Sequence, residues 1–221
     1  MPQLFARWTP KLSPCQTGSR ISKAADRSLA ADSSESESSR HGLHRITMDD
    51  YKIDFVISEL LLLAWNASVQ RSNLYKEKDG HAQEKDLFRE RITEFVSLRV
   101  VPLYKNQISE EEHYKNIGAL IDYAEGIKGT LLAADGYKYG VAQKLLNLTL
   151  KYYWCLGLIA EPPHCPIDRI VISETKFKNL INWTRITKKS DYEEVIEEVK
   201  HLAHSKGLSV PVWELTIYSR R

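Results

Sequence analysis

The chain has 221 residues, with 31 Lys plus Arg against 29 Asp plus Glu and 43% apolar residues, enough to bury one sizeable core. Its longest uninterrupted apolar run, Leu60 to Trp65, is six residues, far short of the roughly 20 that a bilayer-spanning helix needs, so no membrane partner is expected. Three cysteines, Cys15, Cys155 and Cys165, without a CxxC pair, exclude a disulfide framework and a zinc ribbon and favour a reducing, cytoplasmic compartment.

Residues 1–47 hold nine Ser, seven Lys plus Arg and four Asp plus Glu, including the tract Asp32-Ser-Ser-Glu-Ser-Glu-Ser-Ser39. Such a stretch buries too little apolar surface to offset its ordering entropy, and it reads as a disordered leader. Its first 23 residues carry Arg7, Lys11, Arg20 and Lys23 and no acid, a charge pattern like that of a transit peptide but without the amphipathic stripe. Met48 immediately precedes the first strongly patterned segment and offers an alternative start of translation. The leader carries a formal charge of +3, which leaves −1 for residues 48–221. Any nucleic-acid contact must therefore be a local patch, because binding dominated by phosphate neutralisation demands a large basic excess.

The remainder predicts one all-α, multi-helix globular domain. From Asp49 to about Tyr75, Ile53, Val56, Ile57, Leu60, Leu61 and Leu63 follow helical spacing with a broad apolar face. Phe88, Ile92, Phe95 and Val96 repeat it between Glu84 and Val101, and Pro102 is expected to limit that run because it has no amide hydrogen. Ser109-Glu-Glu-Glu112 is a capping-box pattern for a third helix, continued inward by Ile117, Leu120, Ile121 and Ala124. Ser190-Asp-Tyr-Glu193 is a second such box. The helix it opens has acids (Glu193, Glu194, Glu197, Glu198) before bases (Lys200, His201, His204, Lys206), in line with the helix dipole, and Gly207 to end it. Val210 to Tyr218 alternates like a strand, yet Trp213 and Ile217 also share a helical face, and it is taken as a short helix.

The stretch from Gly136 to Trp154 contains three lysines and no acid and is followed by Pro162-Pro-His-Cys-Pro-Ile-Asp-Arg169. Val141, Leu145, Leu148 and Tyr152 form an apolar stripe, and Lys144, Asn147 and Lys151 a polar one at i, i+3, i+7. Two readings of the polar stripe stand. Either it is the solvated face of an amphipathic helix, with Asp168 capping the helix that follows, or the Pro-rich turn fixes Asp168 beside a lysine-bearing helix.

Gly140 four residues before Lys144, and Cys165-Pro-Ile-Asp-Arg169 leading into an apolar run, resemble the helix-hairpin-helix DNA glycosylases over residues 136–171. In that family a glycine turn leads into a helix with a nucleophilic lysine, and an aspartate heads the next helix. This chain does not spell a Leu-Pro-Gly-Val-Gly hairpin or a four-cysteine cluster motif, and its lysine and aspartate are 24 residues apart. The resemblance implies a DNA-processing enzyme without a cofactor. Lys144 would attack the sugar carbon and form a Schiff base, and Asp168 would take the amine proton or stabilise the charged sugar. Gly140, Tyr152, Trp154, His164 and Arg169 would contact DNA, with Tyr153 a further aromatic wall for a flipped base and Lys151 a second candidate nucleophile. The alternative is a non-catalytic helical module that binds protein or nucleic acid.

Other constellations are incomplete. Cys155, His164 and Cys165, or His201 with His204, do not supply four zinc ligands, so no metal is expected. Walker, GxGxxG, GxSxG and HExxH motifs are missing from the sequence. Trp183 and Trp213 read as core anchors and Thr184 to Lys189 as a solvated loop, with a phosphate contact at Lys188 or Lys189 as the alternative.

Because every periodic segment lies beyond residue 47, limited proteolysis is expected to cut in the Ser-rich tract and leave a stable fragment starting near Met48. Removal of residues 1–47 should move the thermal midpoint by no more than about 2 °C; a large loss of helicity in the truncated chain would refute this domain boundary.

Overall fold

A computed structural model describes residues 48–218. Among them the fold is all-α: seven α-helices and no strand beyond a single bridge. The leader read as disordered lies outside the described residues. No described helix is long and apolar enough to cross a membrane.

Helix α1 (Met48–Val69) ends about six residues before the expected boundary, and Ser72 and Leu74 beyond it are buried in the connection to α2 (Ala82–Phe95). Pro102 does not stop the helical path at α2. Instead the chain widens into a π-turn, Val96–Val100, in which the Val101 amide reaches the Val96 carbonyl, and then tightens into a 3-10 turn, Val101–Lys105. Changing the hydrogen-bond register twice accommodates the missing proline donor. It also keeps Val96, Val100, Val101 and Tyr104 in the core.

Helix α3 (Glu110–Ile127) has the expected capping box: the Glu112 amide donates to Ser109 Oγ at 3.2 Å, and the Ser109 amide to Glu112 Oε2 at 3.0 Å. Phe95 and Tyr123 stack at 4.2 Å between α2 and α3. An antiparallel bridge between Tyr75 and Leu132 ties the loops on either side of this α2–α3 unit.

Helix α4 (Tyr139–Cys155) runs through the centre, against α1, α3, α6 (Lys189–Ser205) and a short 3-10 turn, Trp183–Arg185. Every residue from Tyr139 to Lys151 is buried. Gly140 makes part of this possible. Its amide donates to the Ile186 carbonyl at 2.9 Å, and a Cβ there would stand 1.9 Å from the Trp183 carbonyl oxygen. The tract after Trp183 is thus not the expected free loop, since Trp183, Thr184 and Ile186 are buried against α4 and the exposed part is Arg185 and Thr187 to Lys189.

The second expected capping box is absent. Helix α6 begins two residues earlier, with Lys188 as its cap, and the Ser190 hydroxyl turns to Asp191. Its other end is as expected: Gly207 (φ +65°) donates to His204 and Leu208 to Ala203, the paired bonds of a Schellman turn. The short helices α5 (Arg169–Ser173) and α7 (Val210–Ile217) close the base.

Gly140→Ala should lower stability by roughly 2–3 kcal/mol, a loss of about 5–10 °C in thermal midpoint. Gly118→Ala in α3, whose Cβ would meet nothing within 4 Å, should raise it slightly. Equal effects of the two changes would contradict the close approach at Gly140.

Candidate active site

Lys144, Asn147 and Lys151 share one stripe of α4, as their spacing implies, but that stripe is not a solvated face. Asn147 is fully buried and both lysines are 8% exposed. What covers them is the segment from Pro162 to Asp168 together with α5, α6 and α7. The Gln143 amide grips this segment at Ile167: its Nε2 donates to the Ile167 carbonyl at 2.8 Å, and its Oε1 accepts from the Ile167 amide at 3.1 Å. Asn147 Nδ2 donates to the Cys165 carbonyl at 3.1 Å and to Tyr192 Oη at 3.0 Å. Prolines at 162, 163 and 166 remove backbone donors from the same segment, so few of its amides need partners.

Held this way, Asp168 meets both sequence readings at once. Its Oδ1 caps α5, accepting from the Ile170 amide at 2.8 Å and the Val171 amide at 3.2 Å, while Oδ2 lies 3.6 Å from Lys144 Nζ. The Trp183 ring lies over the same amine, 4.1 Å from Nζ to the ring centroid. Burial lowers the Lys144 pKa; the Asp168 charge opposes that shift, and the Arg71 charge adds to it.

Lys151 is engaged differently. Its Nζ is 2.5 Å from Glu214 Oε2 on α7 and lies over the Tyr218 ring. Burial raises the Glu214 pKa, offset in part by Lys151.

The remaining candidate contacts do not converge on Lys144. Tyr152 and Trp154 are half-buried against the core, Tyr153 is buried, and Arg169 is exposed on α5. His164 lies in a polar cluster between α3 and α6. Tyr192 Oη is 3.0 Å from its Nδ1, and Nε2 is 2.8 Å from Glu110 Oε1. With Asn147 donating to Tyr192 and a carboxylate beside Nε2, the partners select the Nε2–H tautomer. Glu110 also accepts from Tyr114 and pairs with Lys200. The His164 hydrogen bond above all, with help from Lys200, holds its carboxyl far below the usual carboxylate range. Cys165 is buried and Cys155 exposed. Among the described residues no three His, Cys, Asp or Glu side chains are grouped to hold a metal ion.

A cavity of about 440 Å³, lined by Ser72, Asn73, Lys138, Thr184 and Arg185 among others, begins at the residues just after Trp183. A larger groove of about 630 Å³ lies between α1 and α2. Neither is lined by Lys144 or Asp168. Trp183 and Gln143 are the two site residues that sequence reasoning missed; Trp183 was read as a core anchor, and nothing in its spacing from Lys144 links the two.

The chain matches no protein-family model, and no curated protein or solved structure is significantly similar to it.

The buried histidines give the fold an acid limit. Burial lowers the pKa of both His113 and His164 from the ordinary 6.5. Above that value neither state is protonated and no stability depends on these rings. Below it the unfolded chain takes up protons that the folded chain refuses, so stability falls as pH drops, with a slope approaching about 2.7 kcal/mol per pH unit for the two together. Urea unfolding between pH 7 and 5 should show this decline, and His164→Gln should roughly halve its slope. A flat profile would mean that the rings are charged in the folded state.

Proposed function

We propose that this chain is a small helical DNA-processing protein of the glycosylase-like kind, in which Lys144 is the nucleophile and Asp168 its proton acceptor. The observation that supports this reading is the Lys144–Asp168 pair itself: an amine made less basic by burial, 3.6 Å from a carboxylate that a helix cap holds still. A lysine attacks carbon only as the neutral amine, and desolvation raises that fraction. The adjoining carboxylate gives the released proton a destination.

The step is an attack of Lys144 Nζ on the sugar C1′. The bond from C1′ to the base breaks, and the base leaves with its electron pair. The amine proton passes to Asp168. The C1′–O4′ bond then breaks, the ring oxygen taking its electron pair and the proton held by Asp168, and leaves an iminium between Nζ and C1′, which borohydride reduces to a stable amine. The cavity that begins at Thr184 does not reach Lys144 or Asp168, and Trp183 is the aromatic side chain against which a base taken out of the stack would lie at the amine. Since its ring lies over Nζ, the sugar reaches the amine only when the ring moves aside.

Borohydride treatment with a panel of damaged or mispaired duplexes should trap a covalent adduct. That adduct should be lost in both Lys144→Ala and Lys144→Met and reduced about 100-fold in rate in Asp168→Asn. Absence of an adduct across the panel, or its persistence in both Lys144 variants, removes the enzymatic reading and leaves a non-catalytic helical binding module.

A further inference from the structure

Twelve large apolar side chains are exposed among the described residues, and six of them, Met48, Tyr51, Phe55, Val56, Leu62 and Leu63, belong to α1. One side of this helix packs on α4, and a second side faces the groove toward α2 through Ile53, Ile57 and Leu61. The third side carries large apolar side chains as well, with two charges among them, so apolar residues occur on every side of α1, as in a helix that is covered all round. Phe55 is nevertheless 66% exposed and Leu63 44%.

The order of residues on that open side identifies what covers it. At 100° per residue, Met48, Lys52, Phe55, Val56, Glu59 and Leu63 fall in one stripe about 100° wide. From Met48 to Leu63, short of Asn66 on the same side, the stripe read backwards has the same sequence of apolar and charged positions with the two charges exchanged. We propose that this face is a homodimer interface in which α1 pairs antiparallel with α1 of a second copy, about a two-fold axis passing between Phe55 and Val56.

In that arrangement Met48 meets the partner's Leu63, Phe55 meets the partner's Val56, and Lys52 meets the partner's Glu59, each contact occurring twice by symmetry. A parallel pairing sets Lys52 against the partner's Lys52 and Glu59 against the partner's Glu59, which like-charge repulsion disfavours. Glu59 has no ion pair among the described residues, so its charge is available for this contact. The contact runs about 22 Å from Met48 to Leu63 at 1.5 Å per residue. Its affinity comes from burial of the central Phe55 and Val56, and the flanking charges set direction and register. The inference does not depend on the lysine chemistry.

Sedimentation of the full chain over a dilution series tests it. The expected result is a mass of two chains at high concentration that dissociates on dilution, and a monomer throughout for Phe55→Glu with unchanged helical circular dichroism. Lys52→Glu and Glu59→Lys should each weaken the dimer roughly tenfold or more, and the double variant Lys52→Glu/Glu59→Lys should restore it to within about threefold of the original. A monomer at every concentration overturns the proposal, for then residues 1–47 or another protein covers the face. A dimer indifferent to the single charge reversals, or not rescued by the double one, overturns it as well.

Discussion

The position of α4 governs most of what surrounds it. A helix buried from Tyr139 to Lys151 keeps its polar side chains from water, and although Tyr139 Oη, Asn147 Oδ1 and Thr149 Oγ1 are left without a partner, each such group costs stability and most are paired. Gln143, Lys144, Asn147 and Lys151 each require a partner, and the partners lie on later segments: Ile167, Asp168, Cys165 with Tyr192, and Glu214. The polar side chains of one helix thereby prescribe where the Pro-rich segment, α5, α6 and α7 can sit. Ion pairs buried in this way contribute little net stability, because desolvation offsets their attraction, but they penalise any arrangement in which the partners fail to meet.

Asp168 shows how structural and chemical requirements can share one group. Its two carboxylate oxygens are divided: Oδ1 satisfies the free amides at the start of α5, and Oδ2 faces the Lys144 amine. The cap fixes the rotamer that the amine meets, and the Gln143 grip on Ile167 fixes the backbone that bears the cap. Precision at the pair is therefore inherited from backbone hydrogen bonds two steps away rather than from contacts with solvent-exposed side chains.

The sequence was most readable where a helix has one wet face and one dry face. The inward positions of α3 follow from periodicity, and the Ser109 box marks a helix start because the side chains that close it are near one another in sequence. The Ser190 pattern misled because α6 starts at Lys189, which puts Ser190 inside the first turn, where its hydroxyl finds Asp191. For α4 the spacing of Lys144, Asn147 and Lys151 established that they share a face but carried no information about whether water or protein covers it. The same residues therefore supported both a solvated stripe and a buried site. Trp183 was out of reach altogether, since its approach to Lys144 depends on the Gly140 contact with the 183–186 turn.

The bridge between Tyr75 and Leu132 has a topological meaning for the molecule. The Lys76 amide bonds to the Leu131 carbonyl and the Ala133 amide to the Leu74 carbonyl, so the chain departs toward α2 and returns from α3 at one doorway. Everything between is an excursion with coincident ends, like a cassette. Its length can change without rethreading the rest, provided that Phe88, Ile92, Ile117 and Leu120 still fill their places in the core. The interval from Gln143 to Ile167 has no such freedom, because most of it is the buried helix α4 itself.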